Sequence, residues 1–397
     1  MSRLIPDDYL EAEVRDELRK RQGLLTRGDL EGLERLSTRR RIGMGRIKSL
    51  SGLEHATNLT ELRLGHNPIS EITPLASLTN LADLDLRSTR IKNLAPLASL
   101  PNLTKLSLDD AQISDVTQLA SLTNLTTLDL SDAQISDVTF LASLTNLTRL
   151  DLRKNQISDV SPLDSLTNLT ELNLEANQVS DVSPLAPLTN LTELNLHDNE
   201  ISDIKPLASL KNLAELDLEA NQVRYVSPLR SLTKLKILDL FGNQVKNIKP
   251  LASLTNLTWL CIVGREISDI SPLASLTKLT ELWLGRKQVR RVSPLRSLTK
   301  LRIRYIDYKP SGPRKFTLDE FSRSMRKTCA RYGIKETHPA DSYHSGGTAN
   351  YGVIMVPPGA PRREPGASPL VKRPQKPRSF FGSLLTFLSR DRRNNKI

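Results

Sequence analysis

The amino-acid sequence predicts an α/β solenoid, in which short coils stack into an arc with a parallel β-sheet on the concave face and short 3-10 turns on the convex face. Two observations carry this prediction. A Leu-x-Leu pair recurs eleven times at a spacing of 22 residues without an insertion, first at Leu62 and last at Leu282. A Pro follows most of these pairs at a fixed distance, and such a period indicates a stack of similar supersecondary units.

Each Leu-x-Leu pair predicts a short strand. Side chains alternate between the two faces of a strand, so both leucines of a pair point into the core. An Asn follows several of the pairs, as at Asn155 and Asn177, where its amide suits a buried turn and can pair with backbone groups of neighbouring coils. Thr89, Ala111 and Ala133 take this place in earlier units, which predicts breaks in the row of asparagines.

The second half of each unit predicts a helical turn. Ser-Pro, as in Ser161-Pro162, is typical of a helix start with Ser as the N-cap and Pro at the first helical position. Gln118 and Phe140 stand where the other nine units have Pro. Only about eight residues remain before the next strand, which favours a short 3-10 turn. One unit cannot bury enough apolar surface to fold alone, so stacking is required.

The consensus of the units, TNLTxLxLxxNxISDVSPLASL, resembles the leucine-rich repeat of the 22-residue kind found in bacterial internalins. The resemblance covers about residues 40–308, as eleven regular repeats with a degenerate first and last unit. Residues 1–39 are similar to the helical cap that covers the first coil of an internalin solenoid. The resemblance implies a non-enzymatic protein-binding module. Several N-L-T sequons recur at the period of the repeat, and their asparagines are therefore predicted to have a structural role.

The remaining residues, 309–397, form a basic tail. The net charge of the chain is +12, and these residues hold 18 Lys and Arg against 6 Asp and Glu, so residues 1–308 are neutral overall. Thr317 and Glu320 have the spacing of a capping box, which predicts an amphipathic helix over about 317–333. The rest of the tail is rich in Pro, Gly and Ser and is predicted to be largely disordered. An alternative function follows, in which the tail docks on an anionic membrane or nucleic acid.

Outward positions of the predicted sheet supply the candidate site. The residues beside the inward leucines form an acidic groove, which favours a basic protein partner and makes nucleic acid an unfavourable ligand for the solenoid. The candidate partner-binding acids are Glu171, Glu175, Glu193, Asp198, Glu215, Asp217, Glu219 and Asp239.

The last units depart from this polar pattern and predict an aromatic patch. Its members are Phe241, Trp259, Cys261, Trp283 and Tyr305. Leucines already fill the inward positions of these units, so both tryptophans are expected to point outward. Trp283 and Tyr305 are expected to share a column on adjacent strands, about 5 Å apart. Exposed aromatic clusters are typical of binding sites, although the tail of the chain could instead pack over them.

No motif predicts an enzyme, a cofactor or a metal site. The sequence has no phosphate-binding loop and no CxxC or HExxH spacing, and Cys329 with His338 and His344 is its one constellation of a nucleophile with potential bases. With two cysteines no disulfide framework exists. No signal peptide, membrane span or wall-sorting motif is visible, so we expect a cytoplasmic location, with export by a non-classical route left open.

Overall fold

A computed structural model of the chain describes residues 3–38, 46–111, 113, 115–264, 266–285, 288, 292–306 and 354–355. The chain divides into two compact units, Met1–Leu213 and Ala214–Ile397. The predicted tail helix, the predicted disordered tail and Cys329 with its two histidines lie outside the described residues. No helix in the described part of the chain is long and apolar enough to cross a membrane, and the cytoplasmic location stays a prediction.

The first unit begins with a helical cap. Helix α1 (Asp8–Glu17) is capped by Asp7, and helix α2 (Arg27–Glu31) begins with a capping box formed by Thr26 and Asp29. Asp7 also ties the cap to the first coil, because its Oδ2 accepts the backbone N–H groups of Lys48 (2.8 Å) and Ser49 (3.1 Å). Strand β1 (Arg35–Ser37) lies within the predicted cap and pairs in parallel with the next strand, so the sheet begins before residue 40.

The parallel strands of the first unit continue at the spacing of the repeat. They are β2 (Glu61–Arg63), β3 (Asp83–Asp85), β4 (Lys105–Ser107), β5 (Thr127–Asp129), β6 (Arg149–Asp151), β7 (Glu171–Asn173) and β8 (Glu193–Asn195). The 3-10 turns of this unit are Leu53–His55, Thr73–Ser77, Ala95–Ser99, Thr117–Ser121, Thr139–Ser143, Ser161–Leu163, Ser183–Leu185 and Lys205–Ser209. Within the unit, strands pair in register with strands, and 3-10 turns pack on 3-10 turns of the next coil.

The second unit repeats this arrangement. Its strands are β9 (Glu215–Asp217), β10 (Ile237–Asp239), β11 (Trp259–Cys261), β12 (Glu281–Gly285), β13 (Arg302–Ile306) and the short antiparallel strand β14 (Ile354–Met355), which pairs with β13. Its 3-10 turns are Ser227–Ser231, Lys249–Ser253, Ser271–Ser275 and Ser293–Leu295. The predicted fold class is confirmed in both units, since each coil combines a strand of a parallel sheet with a 3-10 turn.

Side-chain ladders hold the coils together. The Asn155 Nδ2 donates to the carbonyl oxygens of Leu130 and Leu152, both at 2.9 Å, and its Oδ1 accepts the N–H of Ile135. The sequon asparagines have a structural role as predicted, since Asn146 Nδ2, for example, donates to the carbonyl of Thr123 in the preceding coil. Each coil therefore satisfies buried backbone groups of its neighbour, which explains why a fixed length of 22 residues is maintained.

The start of the 3-10 turns differs from the prediction. The structure places Ser161 inside the turn, and the residue at its N-cap, Val160, makes no side-chain hydrogen bond. The capping acceptor is instead Asp159, whose Oδ1 receives the N–H of Ser161 at 2.8 Å. Thr139 donates in the same way to Asp137, so the Asp of the ISDV segment supplies the cap. An Asp side chain reaches the N–H group two residues further on, and this local bond opens the turn.

Candidate functional site

The outward side chains of the sheet form three rows. The first row holds the residue before the first leucine of each pair, the second row holds the residue between the leucines, and the third row holds the residue after the pair. Parallel pairing in register, such as that of Glu171 with Glu193 and of Asn173 with Asn195, keeps each row aligned from strand to strand. The candidate residues predicted from the sequence can therefore be assigned to rows within each unit.

The second row has a structural role that sequence reasoning missed. Asp151 Oδ1 accepts the backbone N–H of Arg153 at 3.0 Å, and Asn173 Oδ1 accepts that of Glu175 at the same distance. In the second unit Asp217 Oδ1 accepts the backbone N–H of Glu219, and Asp239 Oδ1 accepts that of Phe241. Both of these candidate acids are buried. The signal in the sequence was the recurrence of Asp or Asn at this position, which indicates a repeated backbone bond.

Two buried carboxylates lie next to each other in the second row of the first unit. Asp129 and Asp151 occupy paired positions on β5 and β6. Burial raises the pKa of Asp151 to about 8, the charge of Asp129 adds to this effect, and Arg153 opposes it. The guanidinium of Arg153 lies 3.7 Å from Asp151 Oδ2. Because desolvation of a carboxylate outweighs this ion pair, the protonated form of Asp151 is favoured near neutral pH.

The remaining candidate acids of the first unit differ in accessibility. Glu171 is buried and forms an ion pair with Arg149 at 2.8 Å. Burial raises the pKa of Glu171, and Arg149 opposes that shift. Glu175 and Glu193 are half-buried, and Glu175 Oε2 accepts a hydrogen bond from Asn195 Nδ2 at 3.0 Å. Asp198 is exposed, and its backbone φ of 55° lies in the left-handed region. The accessible acidic groups of this set are thus Glu175, Glu193 and Asp198.

The outward rows of the second unit change from acidic to apolar. Glu215 and Glu219 on and beside β9 are half-buried. On the following strands an apolar group, which we name the sheet-face cluster, comprises Ile237, Phe241, Trp259, Cys261, Val263 and Trp283. Cys261 pairs in register with Trp283, and Ile237 with Trp259, so the cluster spans three neighbouring strands.

Burial within the sheet-face cluster corrects one expectation. Trp259 and Cys261 are outward in register but are each only 4% exposed, and Val263 is 8% exposed. Ile237, Phe241 and Trp283 pack against these three residues and remain half-buried. The expectation that both tryptophans are displayed is therefore wrong for Trp259. The cluster has a buried floor of Trp259, Cys261 and Val263 and an apolar rim of Ile237, Phe241 and Trp283.

The register of the last parallel strand also differs from the prediction. Arg304, and not Tyr305, pairs with Trp283, while Tyr305 pairs with Leu284. The reason is a one-residue deletion. Leu279 is followed by the strand leucine three positions later, at Leu282, whereas Leu301 is followed by Ile303 only two positions later. Extrapolation of the 22-residue period past this deletion assigned Tyr305 to the wrong row.

Arg304 and Glu281 complete the polar border of the sheet-face cluster, and neither was among the candidate residues predicted from the sequence. The indole Nε1 of Trp283 donates to Glu281 Oε1 at 2.8 Å, and Arg304 Nε lies 3.2 Å from the same oxygen. The Arg304 guanidinium lies 5.3 Å from the centre of the Trp283 ring, a cation–π arrangement. Arg304 is 8% exposed, and its Nη2 has no hydrogen-bond partner among the described residues.

Coils of this length, with a parallel strand and a 3-10 turn in each and a buried Asn in several of them, define a leucine-rich-repeat protein. A family model described as leucine rich repeats (2 copies) matches residues 57–99, 79–121, 101–143, 145–187 and 189–231. No curated protein matches the chain. The match supports the repeat assignment made from the periodicity.

Comparison with solved structures identifies the kind of leucine-rich-repeat protein that this chain resembles. An internalin (inlF) from Listeria monocytogenes is 31% identical, with a TM-score of 0.69 over 77% of this chain and 97% of that chain. The functional domain of InlJ from Listeria monocytogenes is 21% identical, with a TM-score of 0.58 over 77% of this chain and 76% of that chain. A leucine-rich-repeat protein of Leptospira interrogans is 24% identical, with a TM-score of 0.55 over 72% of this chain and 80% of that chain. The chain belongs to the internalin-like family of leucine-rich-repeat proteins.

Proposed function

We propose that this chain is a non-enzymatic protein-binding module whose partner docks on the outward face of the sheet. The leucine-rich repeat is a common protein–protein interaction architecture, because a stack of coils presents an extended surface of variable side chains. The observation that carries the proposal is the sheet-face cluster, which places apolar side chains on three neighbouring strands of a face that is polar elsewhere. Apolar groups on an otherwise polar surface are typical of interaction sites.

The rim of the sheet-face cluster supplies the contact surface. Ile237, Phe241 and Trp283 retain apolar surface, and Trp283 is held in place by its hydrogen bond to Glu281 and by Arg304. A side chain fixed before binding loses little conformational entropy when the partner arrives. Tryptophan is also enriched among the residues that dominate interface energies. Trp283 is accordingly the residue of greatest importance for affinity in this proposal.

Acidic side chains on the outward face of the sheet favour a basic partner. Glu175, Glu193 and Asp198 of the first unit, and Glu215 and Glu219 of the second, are accessible enough to meet basic groups. Such charges raise the association rate and contribute to specificity. Asp217 and Asp239 are bonded to the main chain of their own strand ends, so we assign them to the stability of the site.

The test compares capture of partner proteins from a cell lysate by the full chain and two variants. Trp283→Ala combined with Phe241→Ala removes two rim side chains, whereas Tyr225→Ala removes a 77% exposed aromatic beside a 3-10 turn and serves as the matched control. We expect the wild type and the control to retain the same partner and the rim variant to lose it. Equal capture by all three chains would contradict binding through the sheet face. An assay of captured material for chemical turnover checks the non-enzymatic part of the proposal.

A second candidate function follows from the charge distribution. All of the net charge of +12 resides in residues 309–397. A basic segment of this kind is attracted to anionic lipid or nucleic acid, in a manner that weakens with salt. Sedimentation of the full chain with phosphatidylserine vesicles or an oligonucleotide, at low and high salt, tests this candidate. Binding that is lost when the arginines 390, 392 and 393 are changed to Ser would favour it over a purely protein-binding role.

A further inference from the structure

We propose that residues 379–393 of this chain, SFFGSLLTFLSRDRR, dock on the sheet-face cluster and compete there with an external partner. The docking itself is independent of the proposed function, and only the competition rests on it. Four observations in the second unit carry the inference: the incomplete cover of the cluster, the buried guanidinium at its border, the anchoring of the chain at strand β14, and the composition of the segment.

The sheet-face cluster is a floor that lacks a complete upper layer among the described residues. Trp259, Cys261 and Val263 are almost fully buried, while the rim residues around them keep apolar surface. An apolar rim of this kind gains free energy when further apolar side chains cover it, in proportion to the area removed from water. The cluster therefore fits a segment that carries several large apolar side chains.

The border of the cluster needs a hydrogen-bond acceptor. Arg304 is 8% exposed, its charge is shared with Glu281, and its Nη2 lacks a hydrogen-bond partner among the described residues. A buried donor without an acceptor is costly, so the site favours an occupant that brings oxygen atoms. An extended segment brings backbone carbonyls, and Asp391 adds a carboxylate within the proposed occupant.

Strand β14 anchors the chain beside the cluster. Ile354 and Met355 pair with Arg304 and Ile303 of β13, which is the next strand but one from β11. About 25 residues separate Met355 from Phe380, and a flexible coil of that length has a root-mean-square span of roughly 25 to 30 Å. Neighbouring strands lie about 5 Å apart, so the segment reaches β11 without extension. Tethering over such a distance gives an effective concentration near the millimolar range, and even a weak site is then partly occupied.

The composition of the segment matches the surface. Phe380, Phe381 and Phe387 provide aromatic side chains for the rim, and the leucines between them add to the apolar area. Arg390, Arg392 and Arg393 follow directly and complement the half-buried carboxylates of Glu215 and Glu219 in the same unit. Apolar contact and charge attraction thus act on one short stretch of sequence.

The experiment uses the full chain and its own tryptophans. The chain has only two, Trp259 and Trp283, so acrylamide quenching of their fluorescence reports the cover of the cluster. The test variant changes Phe380, Phe381 and Phe387 to Ser, and the matched control changes Phe316 and Phe321, the other two phenylalanines of the tail, to Ser. We expect the quenching constant of the test variant to rise about twofold or more as the tethered segment is released, with no change in the control.

Addition of a synthetic peptide with the sequence of residues 379–393 to the test variant should restore the wild-type quenching constant, and less effectively at high salt. An unchanged quenching constant in the test variant, or an equal rise in the control, overturns the proposal. Both variants change only residues outside the repeats, and we expect their melting curves to match that of the wild type. The quenching assay needs no partner, so its failure is distinguishable from failure of the proposed protein-binding function.

Discussion

At the scale of single residues, Asp151 shows how a local backbone bond can conflict with electrostatics. Its carboxyl group caps Arg153, yet burial and the neighbouring Asp129 raise its pKa from 3.8 to about 8. Between pH 3.8 and about pH 8, the folded chain therefore keeps the proton of Asp151, whereas the unfolded chain has released it. Stability falls as the pH rises through this window, because the folded state must either keep the proton or carry a buried charge.

Asp151→Asn should relieve this conflict. The amide oxygen can still accept the N–H of Arg153, and Asn already occupies the same row at Asn173 and Asn195, where it is buried. We expect the free energy of unfolding at pH 8 to rise by about 1 to 2 kcal/mol, with little change near pH 4. Urea unfolding at both pH values measures this difference. A loss of stability at pH 8 would show instead that the ionised Asp151 pairs favourably with Arg153.

The residue scale also shows where sequence reasoning reached its limit. Period and alternation placed Trp259 and Trp283 on the outward face, and the pairing of the strands confirms that position. Burial could not be predicted, because it depends on how Ile237, Phe241 and Val263 pack around each ring. The roles of Asp217 and Asp239 were missed for another reason. Their acidity suggested binding, whereas their recurrence in one row signalled a bond to the backbone two residues later.

At the scale of elements, the regular parts of the fold were the most predictable. The strands and 3-10 turns followed from the 22-residue period, and even the coils with Gln118 and Phe140 in place of Pro form the same turn. Pro favours this turn but is not required, because Asp115 and Asp137 receive the N–H groups of Thr117 and Thr139. The register of β13 was less predictable, since one deleted residue moved Tyr305 out of the row assigned to it.

The N-terminal cap depends on one side chain that joins two elements. Asp7 Oδ1 accepts the N–H groups of Tyr9 and Leu10 in helix α1, and its Oδ2 accepts those of Lys48 and Ser49. Burial works to raise the pKa of Asp7, and these four donors outweigh it, so that its pKa is lowered. A lowered carboxyl pKa contributes stability above the unfolded value, and this contribution is lost on acidification.

Asp7→Ala should therefore destabilise the chain by about 2 to 3 kcal/mol at neutral pH, through loss of the helix cap and of two bonds to the first coil. The difference between variant and wild type should shrink as the pH falls through the pKa of Asp7. Asp8→Ala is the control, because the neighbouring carboxylate is exposed and forms its ion pair with Arg3. Thermal unfolding at pH 7 and pH 3 decides the matter, and equal losses in the two variants would argue against a special role for Asp7.

At the scale of the whole molecule, a repeat protein distributes its stability over contacts between adjacent coils. Each strand of a unit pairs with its immediate neighbours, and each Asn ladder connects a coil to the one before it. Residues that stabilise the fold can thus be distinguished by mutation from residues that contact a partner. The floor of the sheet-face cluster contributes to the stability of the last coils, while its rim remains available for contact.

Trp259→Ala and Trp283→Ala should separate these two roles. Removal of the buried Trp259 leaves a cavity in the floor and should cost about 3 to 4 kcal/mol in the coils around β11. Because the coupling in a solenoid is between neighbours, we expect faster hydrogen exchange in β10 to β12 and unchanged exchange in β2 to β6. Trp283→Ala should leave exchange nearly as in the wild type and should weaken partner capture. Mass-spectrometric exchange on both variants provides the measurement.

Two outcomes would contradict this separation of roles. Faster exchange throughout the chain in Trp259→Ala would show that the coils unfold as a single cooperative block. A stability loss in Trp283→Ala as large as that in Trp259→Ala would place Trp283 in the floor of the cluster.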